Sequence, residues 1–102
     1  MHAEDFNAES WILDRTAQET LPFIIADLGY DVWLGNNRGV HEYSSHETLS
    51  EADREYWEFS FVEMGLYDVT AQINFILEET GLSKITYMGF SRGNQQMFYA
   101  LA

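Results

Sequence analysis

The sequence has no cysteine, a single proline and five basic residues. It also has no apolar run approaching the ~18 residues of a membrane helix. Without cysteine there is no disulfide, thiolate metal site or cysteine nucleophile, while the compartment stays open, because exported proteins also manage without disulfides. Five Lys and Arg stand against 17 Asp and Glu, a formal net charge of −12. Phosphate backbones and anionic membrane surfaces are repelled at long range by such a balance, which excludes nucleic acid as a partner. Residues Met1 to Glu9 lack a basic segment followed by an apolar one, so they do not read as a signal peptide, and no Asn-x-Ser/Thr sequon occurs. For an exported protein the address would lie outside these residues.

What is present is material for a core: 46% of the residues are hydrophobic and 16% aromatic. No repeat, linker or low-complexity tract divides the chain, so residues 1–102 read as one unit. Thr16 and Glu19 have capping-box spacing, Leu21 to Leu28 is mostly apolar, and Gly29 supplies a stop, which predicts a helix ending just before Tyr30. Pro22 falls near the start of the apolar segment, where helices tolerate it. Val32-Trp33-Leu34 reads as a short buried strand, ended by the turn-forming run Gly35-Asn36-Asn37-Arg38-Gly39. From His41 to Glu55 the pattern is that of a surface loop with a helical turn near Glu51.

Phe59, Val62, Leu66, Val69, Ile73 and Ile76 then recur at spacings of three and four, placing all six on one helix face, with Asp68, Gln72 and Glu79 outside it. Ser60 and Glu63 form a second capping-box pair and Gly81 a stop. Ile85 to Met88 reads as a strand and Asn94 to Ala102 as a helix. Alternation of helix and strand argues for an α/β fold with a parallel sheet and right-handed crossovers. Two or three parallel strands cannot cover themselves, so the expectation is a single incomplete domain whose remainder lies outside these residues.

Between the last strand and the last helix stands Gly89-Phe90-Ser91-Arg92-Gly93. In a Gly-x-Ser-x-Gly elbow a strand turns sharply into a helix, the serine is held in a strained conformation, and side chains two residues either side would collide. Ser91 is therefore the candidate nucleophile, with an ordinary glycine-tightened turn as the plain alternative. The aromatic set Trp33, Trp57, Phe59, Phe61 and Phe75 suits either an acyl-chain pocket or a core. Arg38 is expected to hold its loop by pairing with an acidic neighbour. No Gly-x-Gly-x-x-Gly cradle or Walker lysine supports a nucleotide site, and no histidine spacing supports a metal site, so no cofactor is expected.

Much of the chain resembles the acid lipase family, the group that contains lysosomal acid lipase and gastric lipase. The likeness is carried by Leu21 to Asp27, Gly29 to Asn36 with Arg38-Gly39, His46 with Thr48-Leu49-Ser50, Trp57, Phe59-Ser60-Phe61, Glu63-Met64, Tyr67-Asp68, Ile73 to Leu77 and Thr80-Gly81. It implies the amino-terminal half of an α/β-hydrolase core, ending just after the nucleophile elbow. The implied activity is hydrolysis of neutral lipid esters such as triacylglycerols or cholesteryl esters, in a lysosomal or secreted setting. By the same resemblance Ser91 takes the nucleophile's position and the Arg92 backbone N–H one oxyanion donor's place.

The second donor in these lipases comes from a His-Gly-Leu segment, and His2-Ala3-Glu4 stands in its place, making the Glu4 N–H the other candidate. A glutamate so placed puts negative charge beside the developing oxyanion. Phe90 and Arg92 also depart from the family's His and Gln. In this fold the triad runs Ser, Asp or Glu, His, yet His2, His41 and His46 all precede Ser91. The expectation is a fragment lacking acid and base, inactive by itself; a non-catalytic remnant or binding module is the alternative.

Overall fold

The computed structural model of the chain describes residues 1–13, 16 and 19–102. Four α-helices and a π-helical segment organise them. Helix α1, Leu21–Asp27, starts at Thr20 and not at Thr16. The Thr16 hydroxyl does donate to the Glu19 carboxylate at 3.0 Å, but the N-cap of α1 is Thr20. A start at Thr16 would leave Pro22 well inside the helix with no N–H to give, whereas a start at Leu21 puts it in the first turn. Gly29 follows at φ +92, a left-handed conformation that costs glycine little and ends the helix where the sequence predicts.

Helix α2, Phe61–Glu63, runs into a π-helical segment, Met64–Val69, and on into α3, Thr70–Thr80. The capping box is formed: Ser60 Oγ accepts from Val62 N–H at 3.1 Å, and Glu63 accepts from Ser60 N–H at 2.8 Å. Donation from the Ser60 hydroxyl, and then from its backbone N–H, holds the Glu63 carboxyl below its ordinary value. Gly81 closes the helix at φ +67. The apolar face differs from the predicted stripe. Met64, Gly65 and Val69 are buried, whereas Leu66 is 49% exposed. Six residues of wider π winding rotate the face relative to an α-helical count, and Asp68 and Gln72, expected outside, turn inward onto the Gly35–Gly39 loop.

Helix α4, Arg92–Ala100, packs against this π-helical segment. The approach is close enough that a Cβ on Gly65 would lie 2.6 Å from the Gln96 carbonyl oxygen. Gln96 is fully buried, its amide donating to the Tyr87 hydroxyl at 3.1 Å, and that hydroxyl donates to the Gly93 carbonyl at 2.7 Å. Desolvation raises the Tyr87 pKa, keeping the hydroxyl protonated as a donor.

The predicted strands at 32–34 and 85–88 form no ladder among the described residues, because neither segment bonds its backbone to the other. One parallel-type rung is present instead, between Met1 and the elbow. Met1 N donates to the Met88 carbonyl, and Phe90 N–H donates to the Met1 carbonyl at 3.1 Å. A strand exists only through its neighbours, so an apolar segment with no paired neighbour remains unassigned. The radius of gyration, 14.6 Å, exceeds the roughly 13 Å of a closed domain of about 100 residues. Among the described residues no helix is long and apolar enough to cross a membrane.

Candidate active site

Ser91 occupies the junction at the N-terminus of α4, with φ 53 and ψ −113. A non-glycine residue there bears strain of about 1–3 kcal/mol, which persists only where its surroundings enforce it. The neighbours do so. A Cβ on Gly93 would fall 2.6 Å from the Met1 carbonyl oxygen, and one on Gly89 2.7 Å from the Gly93 carbonyl carbon. Both are backbone atoms with no room to move, which is the steric reason for glycine at each flank.

Serine before a helix ordinarily spends its hydroxyl on capping. Ser91 makes no side-chain cap bond, and the residue is exposed. Its carbonyl accepts from Asn94 N–H at 2.9 Å and Gln95 N–H at 3.3 Å, while Gly93 N–H goes to the Phe90 carbonyl. Arg92 N–H is left as the first-turn donor with no acceptor among the described residues.

The segment opposite is built from His2, Ala3 and Glu4. His2 is 4% exposed and fixed at both nitrogens: Nδ1 donates to the Ala3 carbonyl at 2.7 Å and Nε2 accepts from Asn37 N–H at 3.1 Å. A carbonyl can only accept and an N–H only donate, so the ring is neutral. Desolvation lowers its pKa, partly offset by the bond to Ala3. Glu4 and Asp5 lie in a turn with Asp5 at φ 59. The Glu4 carboxylate pairs with Arg92 Nη2, so the charge expected to repel an oxyanion is compensated.

The Gly35–Gly39 loop joins these parts. Asn36 Oδ1 accepts from Ala8 N–H at 2.7 Å, and Gln72 donates to the Asn36 carbonyl at 2.7 Å. Arg38 binds Asp68 through its backbone N–H at 2.9 Å and its guanidinium at 2.8 and 2.7 Å, the acidic partnership the sequence predicts. Arg38 is thereby committed to the loop. A cleft of about 630 Å³ opens along this surface, lined by His2, Glu4, Asn37, Trp57, Phe59 and Arg92 among others. Ser91 itself is not among the lining residues.

Of the five aromatics, Trp57 and Phe59 reach this cleft, Trp33 meets Phe75 edge to face at 6.0 Å, and Phe61 meets Tyr99 at 6.2 Å. His41 pairs with Glu51, and His46 Nδ1 accepts from the backbone N–H groups of Thr48 and Leu49. Among the described residues no His, Asp or Glu side chain bonds the Ser91 hydroxyl. The sequence signals the elbow but not the His2–Asn37 link or the Glu4–Arg92 pair. The pair had a trace, two departures of opposite charge at the two candidate donors, whereas the His2 link had none.

A family model described as alpha/beta hydrolase fold matches residues 6–102. The chain belongs to the alpha/beta hydrolase fold family. This alpha/beta hydrolase chain is 42% identical to a probable lipase of Schizosaccharomyces pombe over 94% of its length and 22% of that protein's. It is 45% identical to human lipase member M over 93% of the chain and 22% of the relative. The human lysosomal acid lipase/cholesteryl ester hydrolase is 43% identical over 94% of the chain and 24% of its own length. The resemblance to acid lipases therefore holds along almost all of the chain, which spans less than a quarter of the length of these relatives.

Proposed function

We propose that these residues carry the nucleophile elbow and both oxyanion donors of a serine ester hydrolase acting on neutral lipid esters, in a lysosomal or secreted setting. The observation that carries this reading is the exposed, uncapped Ser91 held at φ 53 and ψ −113 between two glycines that admit no side chain. In the proposed reaction Ser91 Oγ attacks the ester carbonyl carbon as a base accepts its proton. The alcohol leaves with a proton, and water then releases the acid from the acyl-enzyme. Negative charge on the carbonyl oxygen is met by the N–H groups of Arg92 and Glu4, each such donor being worth about 2.7–4 kcal/mol where it is well placed.

Since no described histidine reaches Ser91, the general base and its acid partner come, in this reading, from outside residues 1–102. The binding-module alternative is favoured by one observation: the large cleft is lined by Arg92 and not by Ser91. An activated aryl phosphonate separates the two, with imidazole added as a substitute base. Under the hydrolase reading Ser91 is phosphonylated roughly tenfold or more faster than the exposed Ser45 and Ser83, as preorganised oxyanion donors require. Its rate rises with imidazole, and Ser91→Ala removes the adduct. Labelling of Ser91 no faster than of those two serines at any imidazole concentration leaves the binding module.

A further inference from the structure

Both residues proposed to offer an oxyanion N–H carry charged side chains of opposite sign, where the acid lipase pattern has an apolar residue and a glutamine. We propose that the Glu4–Arg92 ion pair is a positioning bridge that holds the two oxyanion donors in register. This inference rests on the reading of Ser91 as nucleophile and deepens it.

The N-terminal segment is already tied to the elbow by the backbone pairing of Met1 with Met88 and Phe90, and the bridge adds a side-chain tie three residues further on. Glu4 lies in a turn closed by a long bond from Phe6 N–H to the Ala3 carbonyl at 3.4 Å, with Asp5 at φ 59. Behind the turn, His2 fastens the segment to Asn37 in the Gly35–Gly39 loop, an element separate from α4. On the other side, Arg92 is the first residue of α4, and its guanidinium is only 22% exposed while the Glu4 side chain is 62% exposed. The Arg92 Nε is buried with no acceptor among the described residues. The carboxylate of Glu4 is thus the anion that this guanidinium holds, through Nη2. Ion pairing at this place does two things. It restrains the Glu4 backbone relative to the Arg92 backbone, and it cancels a negative charge that would oppose charge development on the ester oxygen. An apolar residue and a glutamine at these positions provide neither, so the two substitutions make sense together and not singly.

The pair is half open to solvent, and its expected effect is accordingly modest, about three- to fivefold. The test compares the chain with Glu4→Gln, Arg92→Gln and the exchanged pair Glu4→Arg/Arg92→Glu. Amide hydrogen exchange at residues 4–6, corrected for intrinsic rates, is expected to rise about three- to fivefold in each single variant and to return toward the parent value in the exchanged pair. Exchange in α3 serves as the control that each variant folds alike. Imidazole-assisted phosphonylation of Ser91 is expected to fall and recover in the same order.

Unchanged exchange in the single variants, or an exchanged pair as loose as either single, overturns the bridge. Altered exchange with unaltered phosphonylation overturns the positioning role and leaves a structural contact. Failure of the parent chain to label at Ser91 removes the nucleophile reading and the positioning role with it, while exchange still reports whether the bridge forms.

Discussion

The stretch from Leu21 to Leu34 is the more apolar of two long segments in this chain, yet burial is deepest in the other, where Met64–Val69 meets α4. Leu21, Phe23, Ile24, Trp33 and Leu34 are each 40–45% exposed, and Leu28 and Tyr30 reach 72% and 66%. In the later segment Met64, Gly65 and Val69 are buried against α4, and Gln96 and Gly93 are buried beneath the elbow. Apolarity states that a surface needs covering. Only a neighbour with matching shape covers it, and the π-helical segment and α4 are such neighbours while residues 32–34 have no paired strand among the described residues. The candidate nucleophile stands at the edge of the packed region, which is where a strained backbone can be held.

The sharpest way to break this contrast is Gly93→Val. The new Cβ would meet the Met1 carbonyl oxygen at 2.6 Å and the Met1 Cβ at 3.1 Å. Overpacking of that kind costs about 1–3 kcal/mol, more where backbone must shift. The expected outcome is loss of amide protection through α4 and the π-helical segment, together with loss of Ser91 phosphonylation, while α1 is unaffected. Exchange followed against denaturant measures it. Protection in α4 equal to that of the parent chain would mean that the elbow is not held by this contact.

What was legible in the sequence is what local chemistry decides. The Ser60–Glu63 box, the stop at Gly81 and the tight glycines either side of Ser91 are each specified within a few residues, and each is present, although the elbow is entered from a segment with no strand assignment. The Arg38–Asp68 pair was legible as a type, since a loop guanidinium in so acidic a chain has carboxylates to pair with, though not as a partner. The helix face was misread at Leu66 because a periodicity count assumes α winding throughout, and nothing in Met64–Val69 announces a wider turn. Strands failed for another reason: a ladder is a property of two segments, and Val32–Leu34 and Ile85–Met88 carry apolar runs without saying which edge they meet. Within the site, Glu4 read alone looked like a repulsive carboxylate. Its meaning changed only when Arg92 was found beside it, a long-range pairing that spacing does not encode.

His2 provides a test of intermediate size, because it ties the N-terminal segment to the loop after residue 34. Its pKa is lowered in the folded chain by desolvation. At pH values between the folded value and the ordinary one of about 6.5, the unfolded chain therefore binds more protons than the folded one, and stability rises with pH. The contribution is fully present above about 6.5 and is lost as the pH falls through the lowered value. Protonation of Nε2 removes the acceptor for Asn37 N–H, so the protection of Asn37 against exchange, corrected for the intrinsic rate at each pH, is expected to fall on acidification from neutrality, in step with the His2 ring titration seen by NMR. A His2→Gln variant should flatten this dependence. Exchange at Asn37 that ignores the His2 titration would show that the loop is held without it.

Leu28→Ala sharpens the contrast from the opposite side and carries the smallest expected effect. Leu28 is the residue after α1, 72% exposed, with its backbone N–H shared between the Ile24 and Ile25 carbonyls at 3.2 Å each. The substitution keeps both backbone bonds and removes only side-chain atoms already facing solvent, and exposed substitutions of this kind fall within about 0.5 kcal/mol of neutral. The expected outcome is unchanged exchange in α1 and α4 and an unchanged rate of Ser91 phosphonylation. A loss of more than about 1 kcal/mol would be the cost of a buried leucine and not of an exposed one. It would place Leu28 in a packed interface, and the open character assigned to residues 21–34 would then have to be given up.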